Sequence, residues 1–263
     1  MSITSILIPA LIVGLLGLVF GALLGYASIK FKVEKDENID KVLENLPGAN
    51  CGGCGFAGCA AMAEAIVLNG EKVTKCNLVS EAQCASIAKI LGIKTEKVVK
   101  KYAVVKCLGC KDVAIDKYDY EGICDCNLAY QLGGGPKECE YGCMGLGSCV
   151  NVCRFGAISI ENGIAKVDKE KCTGCGACAN VCPKKVIDLV SETQFVNVLC
   201  NSNDKGAVVK NYCTQGCIGC MLCKKNCPNE AVIIENNLAH IDEEKCTNCG
   251  ECAKACPKKV ISL

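Results

Sequence analysis

The chain has 263 residues, of which 27 are cysteine and one is histidine; it has no tryptophan, and its formal net charge is +1. Such a cysteine density is otherwise a mark of small disulfide-stapled secreted domains, and this chain is too long for that class. Its cysteines fall mostly in C-x2-C-x2-C-x3-C runs, whose loops are too short to gain from disulfides but match a compact inorganic cluster, so a reduced, intracellular compartment is expected.

The single histidine, His240, argues against mixed cysteine and histidine zinc sites, although four-cysteine zinc stays open. With 5% aromatic residues the core is built from Leu, Ile, Val and Ala, and bound cofactors are expected to carry much of the folding energy. An oxidised four-iron cluster on four thiolates carries about −2, so five of them make the loaded chain acidic by roughly nine charges, which disfavours nucleic acid as a partner.

In chain order, "ITSILIPALIVGLLGLVFGALLGYASI" (residues 3–29) is 27 residues without a charge, enough for one tilted helical crossing of a bilayer. Lys30, Lys32 and Lys35 follow, which places the amino terminus outside and the remainder in the cytoplasm. A cleaved signal peptide fits less well, because no basic segment precedes the run and the run is too long. Gly17, Gly21 and Gly25 recur every four residues, the spacing that lets a second membrane helix approach.

After a charged linker comes "PGANCGGCGFAGCAAMAEAIVLNGEKVTKC", in which Cys51, Cys54, Cys59 and Cys76 are spaced C-x2-C-x4-C-x16-C. Its glycines let the loop fold tightly and aim amides at cluster sulfurs, with four-cysteine zinc as the competing reading. The alanine-rich run from Cys59 to Leu68 predicts a helix. Ser80 and Gln83 predict a capping box at the start of a second helix that buries Cys84.

The strongest signal is a 74-residue repeat: residues 163–189 and 237–263 match at 17 of 27 positions without a gap. Each whole ferredoxin unit carries two runs of the C-x2-C-x2-C-x3-C type with the C-P step and nearby strand signals, the pattern of bacterial two-cluster ferredoxins, in which the fourth cysteine of each run ligates the other cluster. The second unit then pairs Cys217, Cys220, Cys223 and Cys256, and separately Cys246, Cys249, Cys252 and Cys227.

The first unit offers Cys172, Cys175, Cys178 and Cys153 as one full set. Its other set has Cys143, Cys149 and Cys182 but Leu146 where the repeat has Cys220. Cys139 is the nearest substitute, and its counterpart Cys213 then looks redundant; a three-iron cluster or a ligand from the preceding segment is the alternative. Cys107, Cys110, Cys124, Cys126 and Cys200 remain, with Cys84 and Cys213. The Cys107/Cys110 and Cys124/Cys126 pairs leave room for a sixth metal site, but packing is the favoured role, with "VVKC" and "FVNVLC" as strands that end in Cys107 and Cys200. His240 stands where the first repeat has Lys166, a surface position.

The expected fold class is α+β: a single amino-terminal transmembrane helix, a small helical 4Fe-4S domain and two tandem two-cluster ferredoxin-like units. The expected boundaries are 1–29 for the anchor, 30–46 for a linker, 47–92 for the first cluster domain, 93–138 for a connection, 139–189 for the first unit, 190–212 for a connecting strand segment and 213–263 for the second unit.

The uncharged amino-terminal helix, "PGANCGGCGFAGC", "DYEGICDCNLAYQLGGGPKECEYGC" and the two ferredoxin units together resemble the B subunits of Rnf complexes along nearly the whole chain. That resemblance implies an iron-sulfur protein of the cytoplasmic membrane that accepts electrons from soluble reduced ferredoxin. It would relay them toward membrane and NADH-binding partner subunits of an ion-translocating ferredoxin:NAD oxidoreductase. Many members have proline after the cysteine matching Cys153, where this chain has Arg154. No stretch resembles a nucleotide loop, a flavin site or a nucleophile with its base, so no complete active site is expected in this chain alone. The rival functions are an electron relay to a redox-sensing regulator in a related complex and a non-redox metal-binding structural protein.

Overall fold

The computed structural model describes residues 4–30, 36–94 and 97–263. Lys32 and Lys35, part of the charge cluster after the apolar run, lie outside the described residues, as does Ile3. Helix α1 (Thr4–Lys30) covers 27 residues with Lys30 in its last turn. Its side chains are described without a break over residues 11–27, and among the described residues no helix is long and apolar enough to cross a membrane. Leu11, Val13, Leu18 and Leu24 on α1 are among the most exposed large apolar side chains described.

The first domain contains α2 (Glu37–Asn45), α3 (Cys59–Asn69), a 3-10 turn (Val73–Lys75) and α4 (Glu81–Leu91). Helix α4 has the expected capping box: the Gln83 amide donates to Ser80 Oγ at 3.3 Å, and the Ser80 amide donates back to Gln83 Oε1 at 3.0 Å. Helix α2 corrects the expected linker. Asp36 caps it, and Ile39, Val42 and Leu46, spaced three and four apart, enter one core with Met62, Ile66, Val73 and Ile87. Cys84 is buried in that core, as its place on α4 predicts.

The rest of the chain is two similar units. The first has β1 (Lys101–Val105), α5 (Cys126–Gln131), α6 (Ser148–Asn151), a hairpin of β2 (Ile158–Glu161) and β3 (Ile164–Val167), α7 (Ala177–Val181) and β4 (Ile187–Ser191). The second has α8 (Gly206–Tyr212), α9 (Leu222–Lys225), a hairpin of β5 (Val232–Glu235) and β6 (Leu238–Ile241), and α10 (Glu251–Lys254). Both hairpins turn on residues with positive φ, Asn162–Gly163 and Asn236–Asn237, as two-residue turns between twisted strands require.

Strand β1 pairs antiparallel with β4, Val105 opposite Ile187, and the Lys106 amide donates to the Val186 carbonyl at 2.7 Å. Strand β1, inside the expected connection 93–138, is therefore part of the first unit's sheet, whereas Val98 packs on the core of the first domain. The expected strand before Cys200 is reduced to one bridge, Val198 opposite Ile261, with the Leu199 amide on the Val260 carbonyl at 2.7 Å.

Candidate iron-sulfur sites

All 27 cysteines are free of disulfides. Among the described residues no three Cys, His, Asp or Glu groups close on a point where a single ion would sit. The sulfurs ring cavities instead. Cys51, Cys54, Cys59 and Cys76 line about 390 Å³ of empty space beneath Leu46 and Met62. Asn50, held at positive φ, accepts the Cys59 amide on Oδ1 at 2.8 Å and so fixes the loop at the start of α3. Cys175, a residue of the first ferredoxin-like unit, lines the same cavity. Only glycine fits at position 53 there, because a Cβ would collide with the Cys175 carbonyl oxygen. Arg154 ties the same two parts together, donating from its guanidinium to the Ala49 carbonyl at 2.9 Å.

Cys153, Cys172, Cys175 and Cys178 line about 310 Å³ with Ala103 and Ile158. The Ala157 amide donates to Cys153 Sγ and the Ala103 amide to Cys172 Sγ, each at 3.4 Å. Thr173 also lines this cavity, and its Oγ1 is buried without a hydrogen-bond partner among the described residues. Amide and hydroxyl donors aimed at sulfur-lined space suit the acceptor sulfurs of a thiolate-held cluster. In the second unit, Cys217, Cys220, Cys223 and Cys256 line about 370 Å³. Cys252 has Cys227, Cys246 and Cys249 as its neighbouring thiols. The Ala231 amide bonds Cys227 Sγ at 3.3 Å, the repeat of the Ala157–Cys153 contact.

The remaining set departs from expectation. Burial pushes the Cys149 thiol up to about 12, with the nearby thiols of Cys143, Cys126, Cys178 and Cys182 adding to the rise. Cys126 thus stands near Cys149 together with Cys143, Cys178 and Cys182. The local cause is α5. Asp125 caps it, its Oδ1 accepting the amides of Asn127 and Leu128. Ser148, next to Cys149, donates its hydroxyl to Asp125 Oδ2 at 3.0 Å and accepts the Cys126 amide at 2.6 Å. Asp125 and Ser148 therefore tie the start of α5, with Cys126, to the segment that carries Cys149. Cys139 faces another cavity, with Cys107 and Cys213 as neighbouring thiols. The distance in sequence hid Cys126; the one local sign was the Asp125 cap in front of it.

Burial is also the first cause of the raised thiols of Cys178, Cys200 and Cys223, each pushed up to about 11. Such thiols stay protonated at neutral pH until bound iron supplies the positive charge that draws the proton off. His240 is an exposed residue of β6, opposite Ile233.

Three family descriptions match the chain: a putative Fe-S cluster domain over residues 46–77, a 4Fe-4S binding domain over 165–188 and a 4Fe-4S dicluster domain over 216–260. The chain is 45% identical over 249 residues, 94% of each protein, to the B subunit of the ion-translocating oxidoreductase complex of Methanosarcina acetivorans. It is 44% identical over 261 residues to the B subunit of the Na+-translocating ferredoxin:NAD+ oxidoreductase complex of Acetobacterium woodii, covering 99% of this chain and 78% of that one. Against the B subunit of the proton-translocating ferredoxin:NAD+ oxidoreductase complex of Clostridium ljungdahlii the identity is 41% over 261 residues, 98% of this chain and 92% of the relative.

Proposed function

The chain belongs to the family of B subunits of ion-translocating oxidoreductase complexes, and from that premise we propose that it is the membrane-anchored iron-sulfur subunit of a ferredoxin:NAD oxidoreductase, accepting electrons from reduced ferredoxin and relaying them to partner subunits. The residues that would hold five four-iron clusters are Cys51, Cys54, Cys59 and Cys76; Cys153, Cys172, Cys175 and Cys178; Cys126, Cys143, Cys149 and Cys182; Cys217, Cys220, Cys223 and Cys256; and Cys227, Cys246, Cys249 and Cys252. When bound, such clusters supply one-electron oxidation and reduction and leave hydride chemistry to the partners. The chain's own residues hold the thiolates, aim amide donors at them and keep water away by burial.

The observation that carries the reading is Cys175, which lines both its own cavity and that of the first domain. Two ligand sets that share a wall are arranged for exchange between neighbours; metal-storage sites gain nothing from such contact. The test mixes the anaerobically purified chain with substoichiometric reduced ferredoxin. Bleaching of its visible absorbance with reoxidation of the ferredoxin is expected, and zinc in place of iron or an unchanged spectrum would end the proposal.

Helix α1 is the proposed single membrane crossing, with everything after Lys30 on the cytoplasmic side. Its 27 residues span about 40 Å against a hydrocarbon core of about 30 Å. Gly17, Gly21 and Gly25 have open space where a Cβ would stand, the room a partner membrane helix needs. Removal of residues 1–29 is expected to release the chain from membranes with its clusters intact; continued tight binding would transfer the anchoring role to partner contacts.

A further inference from the structure

Four cysteines outside these five sets come together in one place. Cys107, Cys139, Cys200 and Cys213 line about 410 Å³ of empty space, part of it open to solvent, between the two ferredoxin-like units, close to the 310 to 390 Å³ of such space at the cysteine-lined sites described above. Each unit contributes two of them, in equivalent positions. Cys107 and Cys200 each follow a residue whose amide bonds the terminal segment of its unit, Lys106 on Val186 and Leu199 on Val260. Cys139 and Cys213 stand at the same point of the 74-residue repeat.

The sulfurs are dressed as ligands are. Cys107 Sγ accepts the Gly109 amide at 3.4 Å, and Cys139, Cys200 and Cys213 accept those of Tyr141, Ser202 and Gln215, each likewise two residues on. Cys143 and Cys175 accept Gly145 and Ala177 in the same way. The cavity wall also holds a buried cation. Lys137 is 4% exposed, and its ammonium donates to the Gly109 carbonyl. Among the described residues no carboxylate pairs with it. A buried ammonium is costly without an anion, and four thiolates around a cluster provide one.

Two further hydrogen bonds fix the place of this cavity in the row. The Cys143 amide donates to Cys107 Sγ at 3.4 Å, and its repeat counterpart, the Cys217 amide, donates to Cys200 Sγ at 3.3 Å. The cavity therefore adjoins one ligand set of each unit through symmetric contacts.

We propose that Cys107, Cys139, Cys200 and Cys213 bind a sixth four-iron cluster at the interface of the two units, bridging the set that contains Cys143 to the set that contains Cys217. The proposal rests on the iron-sulfur reading above, and the test separates the two. The full chain is produced with iron-sulfur assembly under anaerobic conditions, and iron, acid-labile sulfide and zinc are counted per chain, with Mössbauer and EPR spectra of the reduced state. About 24 irons are expected, against about 20 for five clusters.

Cys200→Ala and, as a second variant, Cys213→Ala are each expected to lose about one sixth of the iron and one cluster's spectrum. Cys124→Ser, at an exposed position outside every set, should keep all of it. A parent with about 20 irons, or one zinc that disappears in Cys200→Ala, overturns the sixth cluster and leaves the other five standing. A parent without iron overturns the iron-sulfur reading itself. If a variant loses all its iron through misfolding, the parent stoichiometry still decides.

Discussion

The two ferredoxin-like units differ at one telling place: position 220 is a cysteine in the second unit, and its counterpart at position 146 in the first is a leucine. The second unit is self-contained, with Cys217, Cys220, Cys223 and Cys256 around one cavity. The first gathers Cys143, Cys149 and Cys182 with Cys126 from outside the repeat, on a short helix bound to the motif through Ser148. On the proposed assignment a cluster site is specified by where sulfur stands in space, and a motif that lacks a ligand takes one from another segment tied down beside it. Cys139 and Cys213, expected as a substitute ligand and its redundant copy, line one cavity together with Cys107 and Cys200, the set proposed above for a further cluster.

The comparison can be broken most strongly at the two middle ligands. Cys220→Ala should leave Cys217, Cys223 and Cys256 as the cysteines lining that cavity, with loss of about four irons or conversion to a three-iron species visible in the EPR of the oxidised protein. An intact four-iron spectrum would show that outside recruitment is general.

Acid should act on both units alike, because the equivalent thiols Cys149 and Cys223 are both raised by burial, to about 12 and about 11. Loading releases their protons, so cluster retention is expected to fall with pH by roughly tenfold per pH unit for each thiol deprotonated on binding, followed by iron release to a chelator. The apo chain has the opposite sign. Its folded thiols hold protons above the ordinary value of 9.0, so thiol-linked stability is present below that value and is lost as pH rises through the folded values. Urea midpoints of the apo chain between pH 8 and 11 should therefore decline.

A smaller effect is expected from Asp125→Ala, which removes the cap of α5 and the acceptor of the Ser148 hydroxyl but leaves every thiol in place. Iron should still be bound, and the cluster that uses Cys126 should be released several-fold faster, with second-unit clusters unaffected. Equal release from both units would detach α5 from the site. The smallest effect concerns Arg154, whose repeat counterpart is Pro228. Arg154→Pro should cost about 1 kcal/mol or less through the lost bond to Ala49, read as faster hydrogen exchange in the 46–58 loop with all clusters kept.

Much of this was legible in the sequence for physical reasons. Crossed ligand spacing is local and rigid, so Cys217 with Cys256 and Cys153 with Cys172 could be paired by analogy with the two-cluster pattern, and the Ser80–Gln83 cap is a contact between residues three apart. Helix α2 was hidden by charge, since Glu37, Asp40, Lys41 and Glu44 surround the apolar stripe of Ile39, Val42 and Leu46. The partnership of Cys126 with Cys149 depends on contacts across 22 and 23 residues, which no periodicity reports. The equivalence of Cys107 and Cys200 was masked because 32 residues separate Cys107 from Cys139 and only 13 separate Cys200 from Cys213, so an ungapped repeat passes over it.

The most direct test of the account is a rescue. Cys126→Ala should lose about four irons and the spectrum of one cluster, and adding Leu146→Cys, which gives the first unit the ligand its repeat has at Cys220, should restore both. Retention of full iron and unchanged Mössbauer spectra in Cys126→Ala, or loss that Leu146→Cys does not repair while Cys139→Ser abolishes the same cluster, would contradict it.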